Sequence, residues 1–205
     1  MRKSHDMSDS LVTVNPKGTS QKGLLESILA NVRTRKILPY TRDKHVLDFG
    51  CGEHLWTLRK LRGQARSLTG YDILYSGLNP QVTNDGITVY GLLEQVKGPI
   101  DCIVSLACFE HLEPENLRQV FQKLAACSLP HAKIVGTVPR PPAKPVLEFL
   151  SYNLGLIDAS QIADHKVYYD LDLLREAGKK GGWEIELYKT FQFGMNSFFV
   201  MRKAQ

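Results

Sequence analysis

Only four of the 205 residues are cysteines (Cys51, Cys102, Cys108 and Cys127), and no two of them stand in a CxxC pair. Neither a zinc site built on paired thiolates nor a disulfide frame is expected from that spacing, and the four read as buried thiols. No apolar run approaches the ~18 to 20 residues of a membrane span, and the stretch Met1 to Met7 lacks the apolar centre of a signal peptide. No membrane insertion is expected, and the sequence reads as a cytoplasmic protein. No cluster of acids and histidines has the spacing of an oxygen-ligated magnesium site, so no metal is expected. Charge of one sign is scarcely in excess, with 26 Lys and Arg against 21 Asp and Glu and a net charge of +5. Such a balance admits a nucleic-acid partner without requiring one. The excess is local: between Arg33 and Arg66 nine cations face only Asp43, Asp48 and Glu53.

What the chain does have is apolar material. Hydrophobic residues make up 43% and charged residues 23%, enough to offset the ordering entropy of one domain of ordinary size. Residues 1–19 are polar and aperiodic and read as a flexible tail, leaving 20–205 as a single domain. Leu24, Leu25, Ile28, Leu29 and Val32 recur at helical spacing, with Pro39 closing the segment. Short apolar strands follow at 44–49, 67–72, 87–90, 100–106 and 132–138, with helices after the first and fourth. The last of those helices starts at Glu113-Pro114 and carries Leu117, Val120, Phe121 and Leu124 on one face. A helix at 171–179 stops at Gly181-Gly182, and two strands, 184–188 and 197–202, then succeed one another directly. The strand at 100–106 shows almost no alternation, which means burial on both faces, as in parallel sheets. The expected fold is therefore α/β: a Rossmann-like, doubly wound, seven-stranded, mostly parallel sheet with one antiparallel strand near the C-terminal edge.

In such sheets ligands sit beyond the carboxyl ends of the strands, at the first strand-to-helix turn. That turn is Asp48-Phe49-Gly50-Cys51-Gly52-Glu53-His54, and Asp72 ends the second strand 20 residues beyond Gly52. Glycines at Gly50 and Gly52 permit a sharp turn and a close backbone approach, and Asp72 can accept both hydroxyls of a ribose. The order strand, GxG, helix, strand, acid points to a nucleoside-containing cofactor. A dinucleotide fingerprint needs GxGxxG, but Leu55 stands at the third position, and the acids Asp48 and Glu53 are unwelcome beside a pyrophosphate. Those acids suit a ligand that carries an ammonium and a sulfonium, S-adenosyl-L-methionine.

On these residues, together with the run from Asp101 through Ser105 into Leu106-Ala107-Cys108-Phe109-Glu110-His111-Leu112, the chain resembles a class I S-adenosylmethionine-dependent methyltransferase over roughly residues 44–203. The Glu-His-Leu triplet leans toward the branch acting on small molecules. A softer resemblance links Pro145 to Leu150 and Asp164 to Tyr169 with methyltransferases of bacterial cell-surface polysaccharide or glycolipid synthesis. The resemblance implies that Asp48 holds the loop and the methionyl ammonium, and that Gly50 and Gly52 pass beneath the methionyl chain. Asp72 would bind the ribose, Tyr71 and Ile73 would flank the adenine, and the backbone at Ala107 would line the methionyl side; the product would be S-adenosyl-L-homocysteine. His54 stands where the family commonly has a third glycine, and Glu94 or a backbone group is left to meet the adenine amino group.

The segment 139–169 falls where this fold carries its substrate cover. Tyr152, Tyr168 and Tyr169 are the candidate walls for a small-molecule acceptor, and His165 is the leading proton acceptor, with His111 second. Trp56, Phe109 and Phe121 read most simply as core. The basic cluster raises the alternative of an RNA methyltransferase, but no aromatic-basic module or base clamp accompanies it. A non-catalytic protein that binds the cofactor is the other alternative.

Overall fold

The apolar strand β1 (His45–Phe49) alternates its side chains between two cores, Val46 toward one and Leu47 and Phe49 toward the other. Both faces of the sheet are thereby covered. The structure, a computed structural model, describes residues 21–148 and 166–204, with side chains from Ala30 onward. In chain order the elements are α1 (Gln21–Thr41), β1, α2 (Trp56–Lys60), β2 (Ser67–Tyr71), β3 (Gln81–Val82), β4 (Thr88–Tyr90), β5 (Ile100–Leu106), α3 (Pro114–Ala126), β6 (Ser128–Pro139), α4 (Ala143–Glu148), α5 (Leu171–Gly181), β7 (Trp183–Phe191) and β8 (Asn196–Lys203).

One sheet runs β3-β4-β2-β1-β5-β6-β8-β7. Strands β4, β2, β1, β5 and β6 are mutually parallel, and β8 inserts between β6 and β7 antiparallel to both. The expected reversed strand is there, one place in from the edge. Eight strands replace the expected seven, because the two-residue β3 pairs antiparallel with β4 through Val82 and Thr88. Two residues between turns carry too little periodicity to be read as a strand.

The larger core gathers Phe109, Phe121, Tyr169, Trp183 and Phe199 beneath α3 and α5. Trp183 donates its indole N–H to the Phe121 carbonyl at 2.9 Å, so its polar atom is paired inside. Beneath α1 the second core joins Ile37, Val104, Val135 and Phe198. Helix α1 runs past Pro39 to Thr41 instead of closing there, since a proline in a last turn forfeits only one donor. The most consequential difference from the sequence reading is Trp56, which is 63% exposed; Phe109 and Phe121 are fully buried as expected. On the five-residue α2, Leu55 and Leu58 take the inward positions, and Trp56 therefore faces outward.

Candidate functional site

The carboxyl ends of β1, β2 and β5 meet at one edge of the sheet, where Asp48 lies in register with Gly70 and Val104. The turn after β1 is pinned to β2: the Gly50 and Cys51 amides donate to the Tyr71 carbonyl at 2.8 and 3.1 Å. Asp72 extends this tie by side chain, one carboxylate oxygen accepting from the Gly52 amide at 2.8 Å and the other from Leu74 N at 3.1 Å. Asp72 thus braces the glycine turn against β2, and the acceptor capacity left on each oxygen is what a ribose could use.

The two glycines have different duties. A Cβ on Gly50 (φ +82°) would lie 2.4 Å from the Cys108 sulfur, so this glycine admits the loop after β5. A Cβ on Gly52 (φ +64°) would meet nothing within 4 Å, which leaves that side of the turn open to a ligand. Leu55 at φ 52° ahead of α2 and Ala107 at φ 54° after β5 also hold left-handed backbone. Such conformations cost roughly 1 kcal/mol each and cluster where the backbone is shaped for function.

Asp48 is 3% exposed, and no hydrogen bond reaches its carboxylate among the described residues. Burial, reinforced by the negative charge of Asp72, pushes its carboxyl up to about 7. A buried acid without a cation is costly, and a ligand ammonium would relieve it. Glu110 is buried as well, at 1% exposure, and burial pushes its carboxyl up to about 7 against the opposing charges of Arg33 and His111. Its carbonyl accepts from Lys166 N and Val167 N at 2.9 and 3.1 Å, tying the end of the 139–169 segment to the turn after β5.

The other expected site residues fall as follows. Tyr71 is half-buried and stacks on Phe49 at 5.0 Å between ring centroids, and Ile73 is 74% exposed just past Asp72. Glu94 pairs with Lys123 at 2.7 Å, both side chains exposed. His111 is half-buried on the 3-10 turn Phe109–His111. Tyr168 is half-buried too. Tyr169 is fully buried and donates its hydroxyl to the Leu112 carbonyl at 2.8 Å, so it belongs to the core and not to a cleft wall. His165 and Tyr152 lie outside the described residues. Of the four thiols, Cys51 and Cys102 are buried and Cys108 and Cys127 half-buried. Sequence reasoning missed the burial of Glu110 and the seat of Cys108 against Gly50, since the Glu-His-Leu triplet carries no burial periodicity of its own.

Several cations of the basic cluster are engaged within the fold. The half-buried Arg33 keeps its Nε out of solvent, Lys36 Nζ lies 4.5 Å from the Phe191 ring centre, and Arg59 and Arg62 share Asp85.

A family profile described as a methyltransferase domain matches residues 25–188. No curated protein matches the sequence. Among solved structures, an S-adenosylmethionine-dependent methyltransferase from Mesorhizobium loti aligns at 16% identity and TM-score 0.57, over 83% of this chain and 95% of that one. A magnesium protoporphyrin IX methyltransferase from Synechocystis with bound S-adenosylhomocysteine aligns at 15% identity and TM-score 0.53, over 89% and 83%. A cyclopropane synthase from Mycobacterium tuberculosis aligns at 15% identity and TM-score 0.60, over 88% and 85%.

Proposed function

Since the chain belongs to the methyltransferase-domain family, we propose that it carries a methyl group from S-adenosyl-L-methionine to an oxygen or nitrogen of a small molecule, with a sugar or cell-surface glycan precursor as the acceptor suggested by the softer resemblance of Pro145 to Leu150 and Asp164 to Tyr169. The observation that carries the cofactor assignment is the buried Asp48, an acid without a partner among the described residues, at the mouth of a turn whose Gly52 side is open. When bound, the cofactor supplies an electrophilic methyl group on a sulfonium, so the protein need only place a nucleophile in line and take up its proton.

Each residue has a task that follows from its place. Asp48 would hold the methionyl ammonium, exchanging an isolated buried charge for a paired one. The backbone at Gly52 and Ala107 would flank the methionyl chain. Asp72 would bind the ribose hydroxyls while keeping the Gly52 amide in position, with Ile73 and Tyr71 next to the adenine. His165 is the proposed proton acceptor, with His111 second, and Tyr152 and Tyr168 are the proposed acceptor contacts. The engagement of Lys36 by the Phe191 ring and of Arg59 and Arg62 by Asp85 weighs against an RNA substrate.

Calorimetric titration with S-adenosylhomocysteine tests the assignment. Binding is expected in the wild type, weakened by about 1 to 3 kcal/mol in Asp72→Ala through the loss of charge-assisted hydrogen bonds to ribose. Affinity left intact by that substitution would overturn it. His165→Ala should keep cofactor affinity and lower methyl transfer by roughly 10²- to 10⁴-fold.

A further inference from the structure

Beside the glycine turn, the outward face of α2 and the end of the turn carry His54, Trp56, Arg59 and Lys60 around a concavity of about 510 Å³. A tryptophan 63% exposed is unusual for so large an apolar ring, because it leaves the ring's hydrophobic surface in water. The ring is held in place: Lys60 Nζ stands 5.7 Å from its centroid and hydrogen-bonds Asn31 Oδ1 on α1. Arg59 Nε lies 3.4 Å from Asp85, which is shared with Arg62, so one carboxylate serves two guanidiniums. Among the described residues the lining contains an aromatic face, two cations and an imidazole, and no acid.

We propose that this concavity binds the phosphate-bearing ring of the methyl acceptor, with Trp56 stacking on the ring and Arg59, Lys60 and His54 on the phosphate. Ring stacking and cationic contact are complementary demands that a phosphorylated sugar or nucleotide meets at once, and the guanidinium and ammonium are the side chains suited to phosphate. Helix α2 follows directly on the turn bearing Gly52, and His54 of that turn lines the concavity, so the two sites adjoin. The role as acceptor site rests on the methyltransferase reading; the binding of a phosphorylated ring does not.

The chain has two tryptophans, and Trp183 is fully buried, so a change in quenchable emission reports Trp56. Uridine 5′-monophosphate is titrated into the full chain saturated with S-adenosylhomocysteine, with uridine, glucose 1-phosphate and inorganic pyrophosphate as parallel probes. Both phosphorylated rings should quench Trp56, and uridine should not. Arg59→Gln and Lys60→Gln should each raise the dissociation constant about fivefold or more, and Trp56→Ala, followed by calorimetry, about tenfold. S-adenosylhomocysteine affinity should be unchanged in all three variants. Absence of quenching, dissociation constants unmoved by the substitutions, or pyrophosphate binding as well as the monophosphate would overturn the proposal. So would a twelve-residue oligouridylate that binds far more tightly than the monomer with a steep salt dependence, since that is an RNA track. A chain that ignores S-adenosylhomocysteine while the rings still quench Trp56 would keep the site and overturn its role in the methyl acceptor.

Discussion

Asp48 concentrates the site's electrostatics in one carboxyl. Its ordinary value of 3.8 is raised to about 7 by burial and by Asp72, so the folded chain holds that proton more tightly than the unfolded chain does. The destabilisation is absent below about pH 4, grows as pH rises toward 7, and is complete above it. Asp48→Asn should therefore be more stable than the ligand-free wild type at pH 8, by on the order of 1 to 3 kcal/mol, and the difference should vanish near pH 4. Denaturant titrations of both proteins across that range would check it. The same variant should bind S-adenosylhomocysteine tenfold or more weakly, and wild-type affinity should climb as pH rises through 7 while the variant's stays flat. An equal pH dependence in both proteins would remove Asp48 from the cofactor. The glycine pair makes a second contrast at this scale. Gly50→Ala forces a methyl against the Cys108 sulfur and should destabilise the fold, whereas Gly52→Ala, with open space before it, should spare more of the fold and act chiefly on cofactor affinity. Thermal melts and calorimetry on the two variants separate these outcomes.

Among the elements, α5 shows how a short helix fixes a large aromatic. Its N-cap Asp170 accepts from Leu173 N at 3.0 Å, and the preceding Tyr169 is thereby delivered into the core beneath Leu112. Asp170→Ala should cost about 1 kcal/mol of stability, measured by urea unfolding. The stop of α5 at Gly181-Gly182 and the apolar stripe and Glu113-Pro114 start of α3 were legible from spacing and caps. Strand β6 shows what was not: spacing marks 132–138, but the strand runs Ser128–Pro139, because hydrogen bonds to β5 and β8 extend it past the apolar stretch and through Pro139. Trp56 was misplaced for a related reason. One five-residue helix has too few turns for its period to tell which of Leu55 and Trp56 faces inward.

For the molecule as a whole, stability rests on the hydrophobic cores flanking the sheet. The ion pairs Arg118–Glu115, Lys180–Glu176, Arg175–Asp172 and Arg202–Glu184 are exposed, and exposed pairs add little. Raising salt should leave the melting temperature nearly constant. Ligand acts differently: S-adenosylhomocysteine at a hundred times its dissociation constant should add about 2.7 kcal/mol and raise the midpoint by roughly 5 to 10 °C, read by differential scanning calorimetry. None of the described helices is long and apolar enough to cross a membrane.

The sequence by itself determined the alternation of strand and helix, the reversed strand near the C-terminal edge, the turn from Asp48 to Gly52 and its partner acid Asp72. These are local signals, each written within a few residues by periodicity, turn chemistry or a fixed spacing. Only the tertiary structure decided that Gly50 makes room for Cys108 while Gly52 faces open space, that Glu110 is buried beside the backbone of Lys166 and Val167, that Tyr169 belongs to the core, and that Trp56 stands outside it. Each of these depends on which distant segment packs against a residue, and proximity between segments far apart in the chain leaves no mark on the pattern of either one.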